Sequence, residues 1–303
     1  MNPARLRAYI LLLIVVVIWG IAPSVIKFAL GELPPFLFLA YRFFITTIVL
    51  LPSYLASKNR GLKVSTLPFL ILVSLLGSTI NLGLLFFGTN LTTSLDSSLI
   101  SATSPILVIL AGVIFLKEHV TAREKLGIFV TIFGTTVIAL QSFFESGTSA
   151  THNVLGNVII FLSNIAFAAY LILSKKALKE SVSPFTITFM MFFIGFLTTL
   201  PLALTEIKAN EILPKLMSIS LSAHLSVIFM ALFSGALAYI LYQKAQKSIE
   251  ASEASLFNYL PPIITAPVAT LWLHEKLTIP YIVGSVVIAL GVFLAEWKKR
   301  RYN

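Results

Sequence analysis

Long apolar runs, each near twenty residues and separated by short polar or basic breaks, recur along the whole chain. They fall at 7–29, 36–56, 67–88, 97–116, 123–142, 154–174, 184–205, 222–243, 252–273 and 279–297. About 20 helical residues are needed to cross the hydrocarbon of a bilayer, so the pattern predicts ten transmembrane spans. Lipid offers no partner to a free N–H or C=O, and each span must be a helix or belong to a closed barrel. Barrel strands alternate apolar and polar residues, whereas these runs are continuous. The predicted fold class is therefore an all-α integral membrane protein. The longest breaks, 143–153 and 206–221, are too short for a soluble domain.

Sliding the chain against itself by 157 residues uncovers a repeat. Ser98, Leu99, Pro105, Ile106, Leu116, Glu118, Thr121, Gly127 and Gly134 fall without a gap on Ser255, Leu256, Pro262, Ile263, Leu273, Glu275, Thr278, Gly284 and Gly291. A shift near 149 puts Lys27 near Lys175 or Lys176, Pro35 on Pro184 and Pro52 on Pro201. The chain reads as an N-terminal five-helix repeat over 1–142, a loop over 143–153 and a C-terminal five-helix repeat over 154–303. An odd number of spans per unit inserts the second copy in the opposite sense, giving ten transmembrane helices as two inverted repeats. Secondary transporters recur on this plan, with the substrate site near the midplane where the halves meet.

Composition agrees with lipid as the solvent. At 57% hydrophobic and 11% charged residues over 303 positions, with a mean hydropathy of +0.95, the chain has more apolar surface than one soluble core hides. A net charge of +10 points to nucleic acid only where the cations share one face. Here they lie in short clusters between spans, so the expected partners are membrane lipid and a small-molecule metabolite, not nucleic acid. Lys27, Lys208, Lys215 and Lys276 lie at one set of span ends and Arg42 within a span, while the rest of the 22 Lys and Arg lie at the other ends. The positive-inside rule then places both termini in the cytoplasm. The first run follows Arg5 and Arg7 as a signal peptide would, but it is long for one and lacks an A-x-A site, so it reads as a retained helix.

Catalytic chemistry finds little support in the residues. There is no cysteine, and His119, His152, His224 and His274 are scattered without metal-ligand spacing. No enzyme, metal or cofactor is expected, and no Walker A sequence suggests ATP-driven work.

The segments FLKEHVTAREKLGIFVTIFGTTVI (Phe115 to Ile138) and LWLHEKLTIPYIVGSVVIALGVFL (Leu271 to Leu294) share an order: helix end, Glu beside a basic residue, Thr, then a helix with Gly at seven-residue spacing. Together with WGIAPSVIK (Trp19 to Lys27), this resembles the EamA family of the drug/metabolite transporter superfamily. A small residue often precedes the family Glu; here Lys117 and His274 stand there. The resemblance covers nearly the whole chain. It implies a ten-helix exporter or exchanger of small metabolites, with amino acids, purines or related compounds as substrate classes, in the cytoplasmic (inner) membrane. A metabolite uptake carrier and a non-transporting scaffold or receptor are the other readings, and a monomer or weak homodimer is expected.

Candidate site residues follow from polarity inside apolar spans. Pro105 and Pro262 occupy equivalent places in the fourth and ninth spans, where a proline removes a backbone hydrogen bond and predicts a kink or break. Paired interruptions point to a transporter site. Glu118 and Glu275 sit at span ends, as helix-terminus contacts that fix a turn or as parts of a gate. Gly127, Gly134, Gly284 and Gly291 are spaced for close helix packing. Arg42 lies roughly 9 Å into the second span. It either snorkels or makes a structural contact, or it binds a substrate carboxylate, because an unpaired cation at a helix centre costs about 2.5–3.5 kcal/mol. Trp19, Ser78, Asn81, Ser101, Asn164, Tyr239, Asn258 and Tyr259 complete the candidate substrate-binding set, with Thr103 and Tyr170 as further polar residues near span centres. No Asp or Glu lies near a span centre, Asp96 and Glu253 being at span ends. A buried proton relay has no candidate, which favours uniport or exchange under an alternating-access mechanism.

Overall fold

The computed structural model describes residues 3–56, 64–116, 122–139, 148–249 and 251–296. Among these residues the regular structure is entirely helical. Helices α1 (Pro3–Leu30) and α2 (Pro35–Ala56) are joined by a four-residue turn. Pro35 opens α2 where its missing N–H has no intrahelical acceptor to lose. α3 (Leu67–Leu75) and α4 (Asn81–Leu91) form one rod through a π-helical turn at Leu76–Ile80. α5 (Ser94–Ser101) and α6 (Ser104–Leu116) are two halves of a broken span, with Pro105 in the first turn of α6. α7 (Ala122–Ala139) follows.

The second half begins with α8 (Thr148–Lys179) and α9 (Pro184–Glu206). A short helix, α10 (Ala209–Ser218), precedes the rod made by α11 (Leu221–Ala231) and α12 (Ala238–Ser248), again joined through a π-helical turn, at Leu232–Leu237. α13 (Ala251–Ser255) passes through a tight 3-10 turn at Leu256–Tyr259 into α14 (Pro261–Trp272). α15 (Ile279–Glu296) is the last helix.

By length and composition, 7 helices among the described residues can cross a membrane: Pro3–Leu30, Pro35–Ala56, Leu67–Leu91, Ser94–Ala111, Asn153–Lys179, Pro184–Glu206 and Leu221–Ser248. At the expected fifth and tenth spans stand α7 and α15, of 18 residues each, and at the ninth the interrupted pair α13 and α14. Two boundaries differ from the hydropathy reading. α8 starts at Thr148, inside the stretch expected as a loop, because hydropathy marks where lipid stops and a backbone ladder continues past that point. α10 occupies part of 206–221, with Ile212, Leu213, Leu216 and Met217 recurring at helical spacing against Asn210, Glu211 and Lys215.

Polarity is arranged with the apolar residues outside. Ser24, Thr46, Asn157, Thr188, Gln243, Gln246 and Thr265 are buried, while Ile10, Leu13, Val17, Phe129, Ile263 and Ile279 are exposed. With hydrocarbon as the solvent, apolar side chains have no reason to turn inward and hydrogen-bonding groups do. The helices pack in pairs that cross between the halves: α2 along α9, α4 along α8, α1 along α12, α7 along α15, and α5 with α6 against α13 and α14. Glycines set the closest of these. A Cβ on Gly291 would stand 2.6 Å from the Thr131 nitrogen and 2.8 Å from the Gly127 carbonyl oxygen, so α7 and α15 touch backbone to backbone.

Candidate functional site

A cavity lies between α1, α2, α4, α5, α8 and α12. Breaks and bulges in the helices build its walls. Ala102 and Thr103 interrupt the fourth span, leaving the Ile100 carbonyl at a helix end. Asn164 of α8 donates its amide N–H to that oxygen at 2.7 Å and to the Thr103 hydroxyl at 3.2 Å. In the ninth span the 3-10 turn presents Asn258 to the cavity, with its side chain beside the Tyr242 hydroxyl. Thr265 ties the two broken spans to α1: Ser98 donates to the Thr265 hydroxyl at 2.8 Å, which donates to the Gly20 carbonyl at 2.6 Å.

The π-helical turn of Leu232–Leu237 frees a carbonyl that a regular ladder would consume. Trp19 donates its indole N–H to Ser234 O at 3.2 Å. The indole then stacks near Tyr242 and meets Tyr239 edge-on, with ring centroids 5.4 and 5.3 Å away, so it is fixed before any solute arrives. Arg42 reaches the same space from α2. It is 1% exposed, and its guanidinium lies over the rings of Phe86 at 5.4 Å and of Phe43 and Phe192 at 5.9 Å each. Among the described residues its Nε has no hydrogen-bond partner, and the ion pair formed there is Arg5 with Glu253.

Trp19, Arg42, Asn81, Ser101, Asn164, Tyr239 and Asn258, scattered in sequence, are therefore gathered on one surface. Ser78 and Tyr259 are not on it. Ser78 is fully buried, donates to the Ser74 carbonyl at 2.6 Å and sits where a Cβ on Gly195 would stand, 2.8 Å away. Tyr259 follows Asn258 in a turn where successive side chains point about 120° apart. Pro105 and Pro262 are buried at the helix restarts, and the prolines that line the wall are Pro23 and Pro261. Glu118 lies outside the described residues. The lining also holds Ser97, Ser98, Ser104, Ser163, Phe86 and Phe167, none of them in the candidate substrate-binding set. The run SLDSSLISATS was the available signal, since such polar density inside a span has no use against lipid.

Polar contacts close both ends of the bundle. At the end where α1 stops, the Glu275 carboxylate accepts from the Ser94 N–H at 2.8 Å, the Leu95 N–H at 3.0 Å and the Ser94 hydroxyl at 3.0 Å. Glu206 accepts from the N–H groups of Phe36 and Leu37, and Glu32 from the Ser220 N–H and hydroxyl. Lys27 donates to the carbonyls of Thr89 and Asn90 at the end of α4. At the other end Glu253 holds Arg5 and Tyr9, and Lys175 donates to the carbonyls of Gln246 and Ile249 at the end of α12.

Comparison with known proteins decides the family. The model of the EamA-like transporter family matches residues 6–140 and again 154–297. The chain belongs to the EamA-like transporter family. As an EamA-like protein it is a multi-pass integral membrane protein of a transporter family. Its EamA-type relatives include the uncharacterized transporter YyaM of Bacillus subtilis, 27% identical over 99% of this chain and 97% of that one. An uncharacterized transporter of Archaeoglobus fulgidus is 24% identical over 97% of this chain and 100% of its own. A solved structure with 17% identity superposes with a TM-score of 0.62, covering 98% of this chain and 100% of that one, which shows a shared fold.

Proposed function

We propose that this chain is a secondary transporter that carries small metabolites, amino acids, purines or related amphipathic solutes, across the cytoplasmic membrane by alternating access, as an exporter or exchanger. The observation that carries the reading is the cavity itself: a mostly apolar, aromatic-walled space with a few converging polar groups inside an otherwise lipid-adapted bundle. A scaffold has no use for such a space. Two five-helix repeats inserted in opposite senses explain its construction. The family model matches twice, and the helix pairs follow the exchange of first for sixth, second for seventh and third for eighth spans. The π-helical turns at Leu76–Ile80 and Leu232–Leu237 fall 156 to 157 residues apart. The lysine contacts obey the same relation: Lys27 with Thr89 at one end, Lys175 with Gln246 at the other.

On this reading both termini are cytoplasmic, and the clasps at each end of the bundle are the doors. Glu275 on Ser94 belongs to the outer door and Glu253 with Arg5 and Tyr9 to the inner one. Opening one set while the other holds exposes the cavity to one side at a time. The test is purified protein in proteoliposomes, loaded with a panel of amino acids, purines and related metabolites, with efflux and counterflow measured. Saturable flux of at least one class is expected. Folded protein that moves none of them would sink the reading.

A further inference from the structure

We infer that the solute this cavity is built for is an organic carboxylate of net charge −1, held by Arg42, in preference to the zwitterion, amide or amine of the same body. The inference rests on the transport reading above. Arg42 lies within a span, is 1% exposed and lines the cavity. Aromatic faces surround its guanidinium at 5.4–5.9 Å, and its Nε has no partner. Ring faces compensate part of a cation's lost hydration but leave the N–H donors unused. A planar fork with free donors matches a carboxylate, which it grips with two parallel hydrogen bonds.

Structural cations in this bundle behave differently. Lys27 and Lys175 each hold carbonyl oxygens at the end of a helix, a role that consumes their donors. Arg42 holds none, so its charge is left for something that arrives. Of the described residues lining the cavity, Arg42 alone carries a charge. A monoanion brings the wall to neutrality. A zwitterion leaves it positive and adds an ammonium for which no carboxylate stands in the wall, and a cation doubles the charge. The indole of Trp19 and the rings of Phe86, Phe167 and Tyr239 then suit an apolar, preferably aromatic body.

One consequence is electrical. Among the described residues of the wall no carboxylate offers a proton to balance the cargo, so on this reading each net crossing moves one negative charge. An inside-negative potential drives that charge outward, and at equilibrium it supports about a 50-fold gradient per 100 mV.

The test uses the full-length protein in proteoliposomes and solutes that share one body: 3-phenylpropanoate, 3-phenylpropanamide, 3-phenylpropylamine and phenylalanine, with hexanoate and hexanamide as an aliphatic pair. Carboxylates are expected to move at least ~10-fold faster than their matched amides, amine or amino acid, and their flux should follow a potassium–valinomycin potential. Equal or preferred transport of amide, amine or zwitterion overturns the inference, as does carboxylate flux indifferent to potential. Flux confined to other metabolites in the wider panel overturns it too, while leaving the transport reading intact. Arg42→Met provides a second readout. Removing a buried cation without a partner leaves the unfolding temperature unchanged or higher, and the carboxylate preference is lost. A folded Arg42→Met protein that keeps the preference, or one that unfolds several degrees lower, assigns Arg42 to structure instead.

Discussion

Glu275 caps the helix that begins at Ser94: its two oxygens take the Ser94 N–H and hydroxyl and the Leu95 N–H, all at 2.8–3.0 Å. These donors belong to the first turn of α5, where a helix has no acceptors of its own and where the macrodipole favours negative charge. The capped helix is the one that breaks at Ala102 and lines the cavity, so the contact links the end of the bundle to the site wall. His274 aims the carboxylate. It adopts φ 55°, closing α14 with the Glu275 N–H on the Ala269 carbonyl. Glycine meets that backbone region without a Cβ penalty.

Glu275→Ala is expected to lower stability by about 1–2 kcal/mol, the usual worth of a lost helix cap, with Glu275→Gln between it and the parent. His274→Gly is expected to raise stability by up to about 1 kcal/mol, because a left-handed residue with a Cβ carries a cost of that order. Denaturant or thermal unfolding of purified protein in detergent measures both. An unchanged midpoint for Glu275→Ala would mean that water caps α5 as well as the carboxylate does.

The sequence showed that Glu275 ends a span and suited a helix-terminus contact, and the small residue usual before it marked position 274 as special. It did not show the partner, which is 181 residues away and follows from how α5 and α14 pack. The same holds for the cavity. Asn81, Asn164 and Asn258 stood out because an amide in an apolar run must find a partner or water. Ser78 stood out for the same reason, yet it satisfies itself on its own helix through the Ser74 carbonyl, which hydroxyls do readily. The π-helical turns left no comparable mark in the residues, since they arise where two helices settle their register against neighbours. Spans are legible because lipid acts on each one alone; the wall of a shared cavity is set by several helices at once.

Two asparagines of the cavity wall should part company on mutation. Asn164 donates to the Ile100 carbonyl and the Thr103 hydroxyl, while Thr103 also donates its own N–H and hydroxyl to that carbonyl, so Asn164→Ala removes two buried hydrogen bonds of about 0.5–1.5 kcal/mol each and is expected to cost about 1–3 kcal/mol. Asn258 lines the cavity beside Tyr242 and is not tied to a broken-helix carbonyl as Asn164 is. Asn258→Ala is therefore expected to stay within about 0.5 kcal/mol of the parent while solute flux falls. Unfolding midpoints and initial transport rates of the two variants decide this. Unchanged flux in a well-folded Asn258→Ala protein would remove that amide from the solute's path.

Glycine contacts between α7 and α15 make the sharpest packing prediction. The Gly291 Cα faces the backbone of Gly127 and Thr131, so a methyl there meets atoms that cannot swing aside. Gly291→Ala is expected to lose about 1–3 kcal/mol through overpacking. A Cβ on Gly83, by contrast, would meet the Phe36 ring at 3.4 Å, an ordinary contact; Gly83→Ala is expected to be neutral or mildly stabilising, since alanine is the better helix former. The pair is compared by unfolding midpoint in the same detergent, and equal losses would show that helix flexibility, not backbone approach, is what these positions supply.

Glu32 gives a prediction in pH. It stands in the turn after α1 and accepts from the hydroxyl of Ser220 at 2.5 Å and from its N–H at 2.6 Å. Those two donors, the hydroxyl first, favour the ionised form and hold the Glu32 carboxyl below its ordinary range. As pH falls, the unfolded chain binds its proton first, near about pH 4.3. The stabilisation from this clasp is thus complete above that value and disappears as pH drops through the lower folded-state value. The difference in unfolding temperature between the parent and Glu32→Gln should be constant from about pH 8 to about pH 5 and narrow below about pH 4. A difference that grows toward acid would reverse the sign, showing that the protonated carboxyl is the form Ser220 prefers.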